Sequence, residues 1–271
     1  MLRLQVIKSE QYLKEKFDST VWSYSRIASF YSCPYSFYDT YILGNRRSNF
    51  HAYVGSAVHS VLEDFYRYHL AGGHSLYNSD IRKTLTTKFD IAMKSNPHHN
   101  EVYPKVREGV YRNVKRGLNL FVPQYDIIHV ERKIEYKIEG YNFQAYLDYE
   151  KRLRVGDYKS KHDRDYSTQQ NLYMYAKKEA DGVAPTGYEI VAYKEGMENV
   201  FTPWDRDSVY DSLEWAVQGI KDIRQALVDD SFPKTPPINE KKPDDKFFCE
   251  ALCRGCEESG SSEFNESKEF E

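Results

Sequence analysis

The chain has 271 residues, 40% of them hydrophobic and 29% charged, which is the composition of a folded protein with a sizeable core. No run approaches the roughly 18 apolar residues of a membrane span, and the charged start MLRLQVIKSEQYLKEK lacks the apolar stretch of a secretory signal, so a cytoplasmic protein with no membrane partner is expected. A formal net charge of −3 excludes a strongly basic protein, but six acids and one lysine fall in residues 257–271, leaving the remainder mildly basic and compatible with a nucleic-acid partner. That Ser/Glu-rich tail is expected to be disordered.

Residues ~23–121 read mainly as helices on apolar periodicity. The first is SRIASFYSCPYSFYDTYIL (25–43), and the second is GSAVHSVLEDFYRYHL (55–70), ended by Gly72 and Gly73. Within it Gly55, Ser56 and Ala57 are small enough for close approach to a neighbouring helix. IRKTLTTKFDIAMK (81–94) and EVYPKVREGVYRNVKRGLNLFV (101–122) complete a helical insertion over about 74–121. The last carries Lys105, Arg107, Arg112, Lys115 and Arg116, either a guide for a nucleic-acid strand or a solvated face.

Residues ~127–160 change to strand texture, with IIHVERKIEYKIEG, YNFQAYLDYE and RLRVGDYKS joined by turns at Glu139–Gly140 and Lys151–Arg152. A helix follows from about Ser167 to Glu179, then a strand at GYEIVAY (187–193). A final amphipathic helix spans 207–230, ahead of the Pro-rich segment SFPKTPPINEKKP. Helices, a meander of strands, then helix and strand is an α/β or α+β order. One domain over residues 1–256 is expected. The 24 tyrosines offer either core packing or stacking surfaces for bases.

The chemistry centres on Asp148 and on Asp157-Tyr158-Lys159. Strand alternation points Asp157 and Lys159 to one face, and with Asp148 ending the preceding strand a hairpin brings the two carboxylates together. Like charges at close range are unfavourable, and a hard divalent cation such as Mg²⁺ or Mn²⁺ resolves the repulsion. Lys159 is then placed to orient a water or offset charge on a phosphate. D-x-K by itself is as well explained by a solvated ion pair. The context of Gly156, the apolar run before it, and Glu131 on an earlier strand favours a site. His59 with Glu63 one turn on, and Gln169 with Tyr173 on one helix face, are further candidates.

Four cysteines are present: Cys33, Cys249, Cys253 and Cys256. The C-x3-C-x2-C spacing of the last three indicates metal binding in a reducing compartment, with zinc and [4Fe–4S] both satisfied by four thiolates. Cys33 as fourth ligand would clasp the N-terminal helix to the C-terminus.

In order along the chain, SYSRIASFYSCPYSFYDTYI, GSAVHSVLEDF, ERKIEY, QAYLDYE, VGDYKSK, QQNLY and CEALCRGC resemble the motifs of RecB-family PD-(D/E)XK nucleases with an iron–sulfur cluster. The likeness is to the exonucleases of CRISPR adaptation and to AddB-type nuclease domains, and it spans roughly residues 23 to 256. Ala145 departs from that pattern, standing where the family has glycine. The resemblance implies a restriction-endonuclease-like core with a mixed central sheet and flanking helices. It implies His59, Asp148, Asp157 and the Tyr158 carbonyl as ligands of Mg²⁺ or Mn²⁺, and Lys159 as the catalytic lysine. Glu131 would support the site, Gln169 and Tyr173 would contact DNA or the catalytic strand, and the cysteines would bind [4Fe–4S]. The activity implied is a DNA exonuclease acting on single-stranded ends in recombination, repair, phage DNA processing or CRISPR adaptation, with helicase or adaptation proteins as partners. A catalytically inactive DNA-binding or assembly module is the alternative.

Overall fold

In the computed structural model residues 19–45, 50–72, 78–96, 104–160, 165–194 and 196–234, together with Glu15, are described. The elements run β1 (Val21–Trp22), α1 (Tyr24–Ser32), α2 (Pro34–Phe37), a π-helical turn (Tyr38–Ile42), α3 (Phe50–Leu70), α4 (Asn78–Lys94) and α5 (Pro104–Leu120). They continue with β2 (Ile127–Ile138), β3 (Tyr141–Lys151), β4 (Arg154–Lys159), α6 (Ser167–Asp181), β5 (Gly187–Ala192), β6 (Val200–Pro203) and α7 (Arg206–Val228).

The α/β architecture with a mixed central sheet, expected from the sequence, is present. β3 pairs antiparallel with β2 along one edge; along the other it pairs parallel with β1 at its start and antiparallel with β4 at its end. β4 then pairs parallel with β5 through the crossover helix α6, and β5 pairs antiparallel with β6. Neither of the short strands β1 and β6 is visible as a periodic run in the sequence, because each gains its form from a longer neighbour.

Alternation along the strands feeds two apolar cores. Ile190 and Val155 join Ile27, Leu172, Met174, Leu213 and Val217 on the face covered by α1, α6 and α7. Val191 and Tyr158 join Val58, Leu62, Leu85, Phe89 and Leu118 on the face covered by α3, α4 and α5. Gly117 lets α5 touch the sheet: a Cβ there would stand 1.0 Å from the carbonyl oxygen of Tyr193. Among the described residues no helix is long and apolar enough to cross a membrane.

Two local expectations need correction. The helical stretch over 25–43 is divided at Cys33, whose backbone is extended (φ −164°, ψ 106°) because Pro34 follows it. Pro34 then opens α2 at a position where its missing N–H costs nothing. The hairpin after β3 turns at Arg152–Leu153, since Lys151 and Arg154 are the last pair of the ladder, one residue beyond the expected turn.

Candidate active site

The site forms where β4 parts from β3. Their ladder runs from Lys151↔Arg154 to Tyr149↔Gly156 and stops there. Asp148 therefore lies inside β3 rather than at its end, with three strand residues still to follow. In the fork beyond the ladder, the Tyr158 N–H donates to Asp148 Oδ2 at 2.9 Å instead of to a strand carbonyl. The N–H and C=O of one strand residue project to the same side, so the Tyr158 carbonyl faces this edge as well.

Gly156 is required by its partner across the ladder. The buried ring of Tyr149 lies over it, and a Cβ would be 1.9 Å from Tyr149 Cζ. The ring is fixed by its hydroxyl, which donates to Glu189 Oε1 at 2.8 Å.

On the other side of Asp148, β2 is distorted. Ile134, Tyr136 and Ile138 point into the α1/α6/α7 core while Val130 points into the opposite one. The alternation slips at Glu131, a non-glycine residue at φ +50°. Such a conformation is costly, and it turns the Glu131 side chain into the cleft with Asp148. Ala145, buried in the sheet opposite Ile134, needs no glycine.

Helix α3 supplies His59, whose Nδ1 is 3.3 Å from Asp148 Oδ2. One potential ligand atom each from His59, Asp148 and Asp157 lie within 4.8 Å of one another. Gly55, Ser56, Ser60 and Glu63 of the same helix line the cleft with Glu131. A Cβ on Gly55 would meet nothing within 4 Å, so this glycine opens the cleft wall and does not serve close packing against another helix.

Asp157, 3% exposed, has two unlike oxygens. Its Oδ2 accepts from the Tyr188 hydroxyl at 3.0 Å and pairs with Lys159 Nζ at 2.7 Å. Its Oδ1 is buried, and no donor among the described residues reaches it. An unsatisfied carboxylate oxygen costs on the order of 1–3 kcal/mol or more when nothing occupies its lone pairs. The donor set of imidazole and two carboxylates around it fits a divalent cation.

The electrostatics follow from burial and crowding. Burial and the adjacent Asp148 charge push Asp157 well above the usual carboxylate range, against the pull of Lys159. Burial acts the same way on Asp148, but the hydrogen bond and charge of His59 outweigh it and hold that carboxyl low. His59 is raised: burial opposes its charge, and Asp148 more than compensates. Lys159 is likewise raised by Asp157 despite burial. Glu131 is pushed up to about 7 by burial, with Asp148 and Glu63 adding to it.

From the α6 side, Gln169 hydrogen-bonds Tyr173, whose ring centroid is 6.4 Å from that of Tyr188. Lys159 Nζ lies 5.4 Å from the Tyr166 ring. Gln170 is buried and Tyr175 packs on Tyr136, so neither competes with the Gln169–Tyr173 pair for the site. The fork thus gathers His59, Glu131, Asp148, Asp157, Tyr158 and Lys159, with Tyr173 and Gln169 behind them. Of the α5 cations, Lys115 is engaged by Asp90 of α4 at 2.6 Å. Cys33 is buried between α1 and α2; Cys249, Cys253 and Cys256, like residues 257–271, lie outside the described residues.

Tyr188 escaped the sequence reading, where GYEIVAY is simply a strand. Its relevance depends on the parallel register Val155↔Tyr188, which puts it on the same face as Asp157 and one step away.

A mixed sheet flanked by helices, with paired carboxylates and a lysine in the fork of a hairpin, defines a nuclease-type α/β core. The family model of the PD-(D/E)XK nuclease superfamily matches residues 21–259, and the chain belongs to that superfamily, whose members typically use Mg²⁺ or Mn²⁺. Among solved structures it is similar to a proposed exonuclease from Eubacterium rectale, at 12% identity and a TM-score of 0.44, covering 88% of this chain and 97% of that one. No curated protein matches the chain.

Proposed function

We propose that this chain is a Mg²⁺- or Mn²⁺-dependent DNA exonuclease that hydrolyses phosphodiester bonds from single-stranded ends. The observation that carries the reading is Asp157: a buried carboxylate with one oxygen clamped and the other without a donor, facing Asp148 and His59. His59, Asp148, Asp157 Oδ1 and the Tyr158 carbonyl would hold the cation. When bound, it supplies Lewis-acid polarisation of the scissile phosphate and lowers the pKa of a coordinated water.

The protein's own groups do the rest. Lys159, kept as an ammonium by Asp157, sits where negative charge builds on the phosphate and offsets it. Glu131 lines the cleft with His59 and Asp148, where burial and the Asp148 charge push its carboxyl up to about 7 in the metal-free protein. Tyr173 and Gln169 brace the catalytic strand from α6. Intact acids and lysine in one fork favour an active nuclease over a vestigial one.

The preference for ends and single strands, and a role in recombination, repair, phage DNA processing or CRISPR adaptation, rest on the motif resemblance to RecB-family nucleases. So does the assignment of Cys33, Cys249, Cys253 and Cys256 to a [4Fe–4S] cluster in one continuous domain over residues 1–256. End-labelled single-stranded DNA incubated with Mn²⁺ should release nucleotides progressively. Asp157→Ala should lower that rate at least ~100-fold, on the scale of a lost catalytic group. Full activity in this variant would refute the site. Anaerobically purified protein should be brown and absorb near ~400 nm; a colourless, zinc-containing preparation would replace the cluster with zinc and leave the nuclease reading intact.

A further inference from the structure

We propose that Tyr188 is a positioning residue for the metal site: its phenol fixes the Asp157 carboxylate so that Oδ1 is the oxygen presented to the cation. The proposal rests on the metal-site reading above and adds to it a residue from β5 with no part in the sequence motifs.

The terminal torsion of an aspartate is soft and nearly two-fold, so nothing intrinsic to Asp157 distinguishes its two oxygens. The surroundings do. Tyr188, 1% exposed, donates to Oδ2 at 3.0 Å, and Lys159 pairs with the same oxygen at 2.7 Å. Both donors lie on one oxygen, and the other is buried with no donor among the described residues, while the carboxyl as a whole adjoins Asp148. A half turn merely exchanges two equivalent oxygens, but a partial rotation of the carboxylate plane would break both interactions and swing the donor-free oxygen away from the cation.

The two clamps differ in stiffness. Lys159 is on a long flexible stem, its side chain 22% exposed, and is free to reorient toward a phosphate. Tyr188 is rigid: its ring is packed in the core with Val155 and Ile190 and beside the Tyr173 ring. The register Val155↔Tyr188 sets it diagonally from Asp157 on the same face, at the reach of a phenol. Tyr188 therefore keeps the carboxylate aligned while Lys159 serves the substrate. Groups that orient a ligand from behind are worth roughly 10–100-fold in metal affinity.

The test is Mn²⁺ binding to the full chain without DNA, followed by calorimetry or by the electron paramagnetic resonance of free Mn²⁺. It compares wild type with Tyr188→Phe, Tyr149→Phe and Asp157→Asn. Tyr188→Phe should bind Mn²⁺ at least ~10-fold more weakly, while its rate at saturating Mn²⁺ stays within a few-fold of wild type. Tyr149→Phe loses a phenol–carboxylate bond from an equally buried tyrosine, directed at the partly exposed Glu189, and should bind Mn²⁺ normally. If Asp157→Asn abolishes binding and Tyr188→Phe does not weaken it, the inference about Tyr188 fails and the metal site stands. Equal weakening in Tyr149→Phe also overturns it, by making the effect generic. Wild-type binding by Asp157→Asn overturns the metal-site reading and this inference together. Tyr188→Met, apolar and adaptable in shape, takes the same comparison if the Phe variant does not yield folded protein.

Discussion

Gly156→Ala adds one methyl group at the ladder pair next to Asp157, and its cost follows from what the methyl meets. The new Cβ would lie 1.9, 2.1 and 2.4 Å from three ring atoms of Tyr149. That ring has no free direction: it is 0% exposed, its hydroxyl is held by Glu189, and its face lies 4.9 Å from the Tyr158 ring. Either the ring is expelled or β3 and β4 separate beside the site. Losing a hydrogen bond to a charged acceptor costs about 1.5–3 kcal/mol, and overpacking a tight core about 1–3 kcal/mol. A destabilisation of roughly 3–5 kcal/mol is expected from these two together. Urea unfolding at constant m-value measures it. Placing Tyr149→Ala on the Gly156→Ala background removes the clash, so the double variant should be hardly less stable than Tyr149→Ala alone. Mn²⁺ binding should weaken in Gly156→Ala, because Asp157 is the next residue. A loss below about 1 kcal/mol, set against the overpacking range, or additive behaviour of the two changes, would refute the reasoning.

Lys159→Met should lose ~100-fold or more in cleavage rate while retaining Mn²⁺ binding, since the ammonium is not a ligand; loss of binding in step with activity, read by calorimetry, contradicts the role given to Lys159. The pH dependence has a definite sign. Glu131, at about 7 in the fold, and Asp157 both keep protons that the unfolded chain has already released, and His59 is raised as well. The metal-free protein therefore loses stability as pH rises from about 4.5 to 7, because the unfolded state binds fewer protons in that window. Cation binding needs the ligands Asp157 and His59 deprotonated, so the rise in Tm on adding Mn²⁺ should grow as pH rises over the same range; a gain independent of pH goes against it. Glu150→Ala strands Lys177, which is 1% exposed and bonded to Glu150 at 2.7 Å. Asp181, also at 2.7 Å from Lys177, softens a loss expected near 3–5 kcal/mol in chemical unfolding; an effect under about 1 kcal/mol rules out a buried ion-pair contribution.

Much of the site could be marked from the sequence because its chemistry is carried by local spacing. Asp157 and Lys159 share a strand face by simple alternation, and Gln169 and Tyr173 share a helix face one turn apart. The long helices and the β2–β3–β4 meander follow from periodicity over a dozen or more residues. The break at Cys33 was written in the Cys-Pro dipeptide and could have been read there.

Other features were decided by tertiary structure alone. That Asp157 is held by Tyr188 depends on which strand lies beside β4 and in what register, and no pattern within GYEIVAY encodes it. Gly156 is obligatory because of a ring on the neighbouring strand, and Gly117 because of a backbone carbonyl in another layer. Glu131 is turned into the cleft by a slip in alternation that an unbroken strand pattern does not announce. Periodicity reports which face a side chain takes relative to its own element. The atoms it meets across that face come from residues far away in sequence, and their identity is fixed only when the layers pack and the strands settle into register.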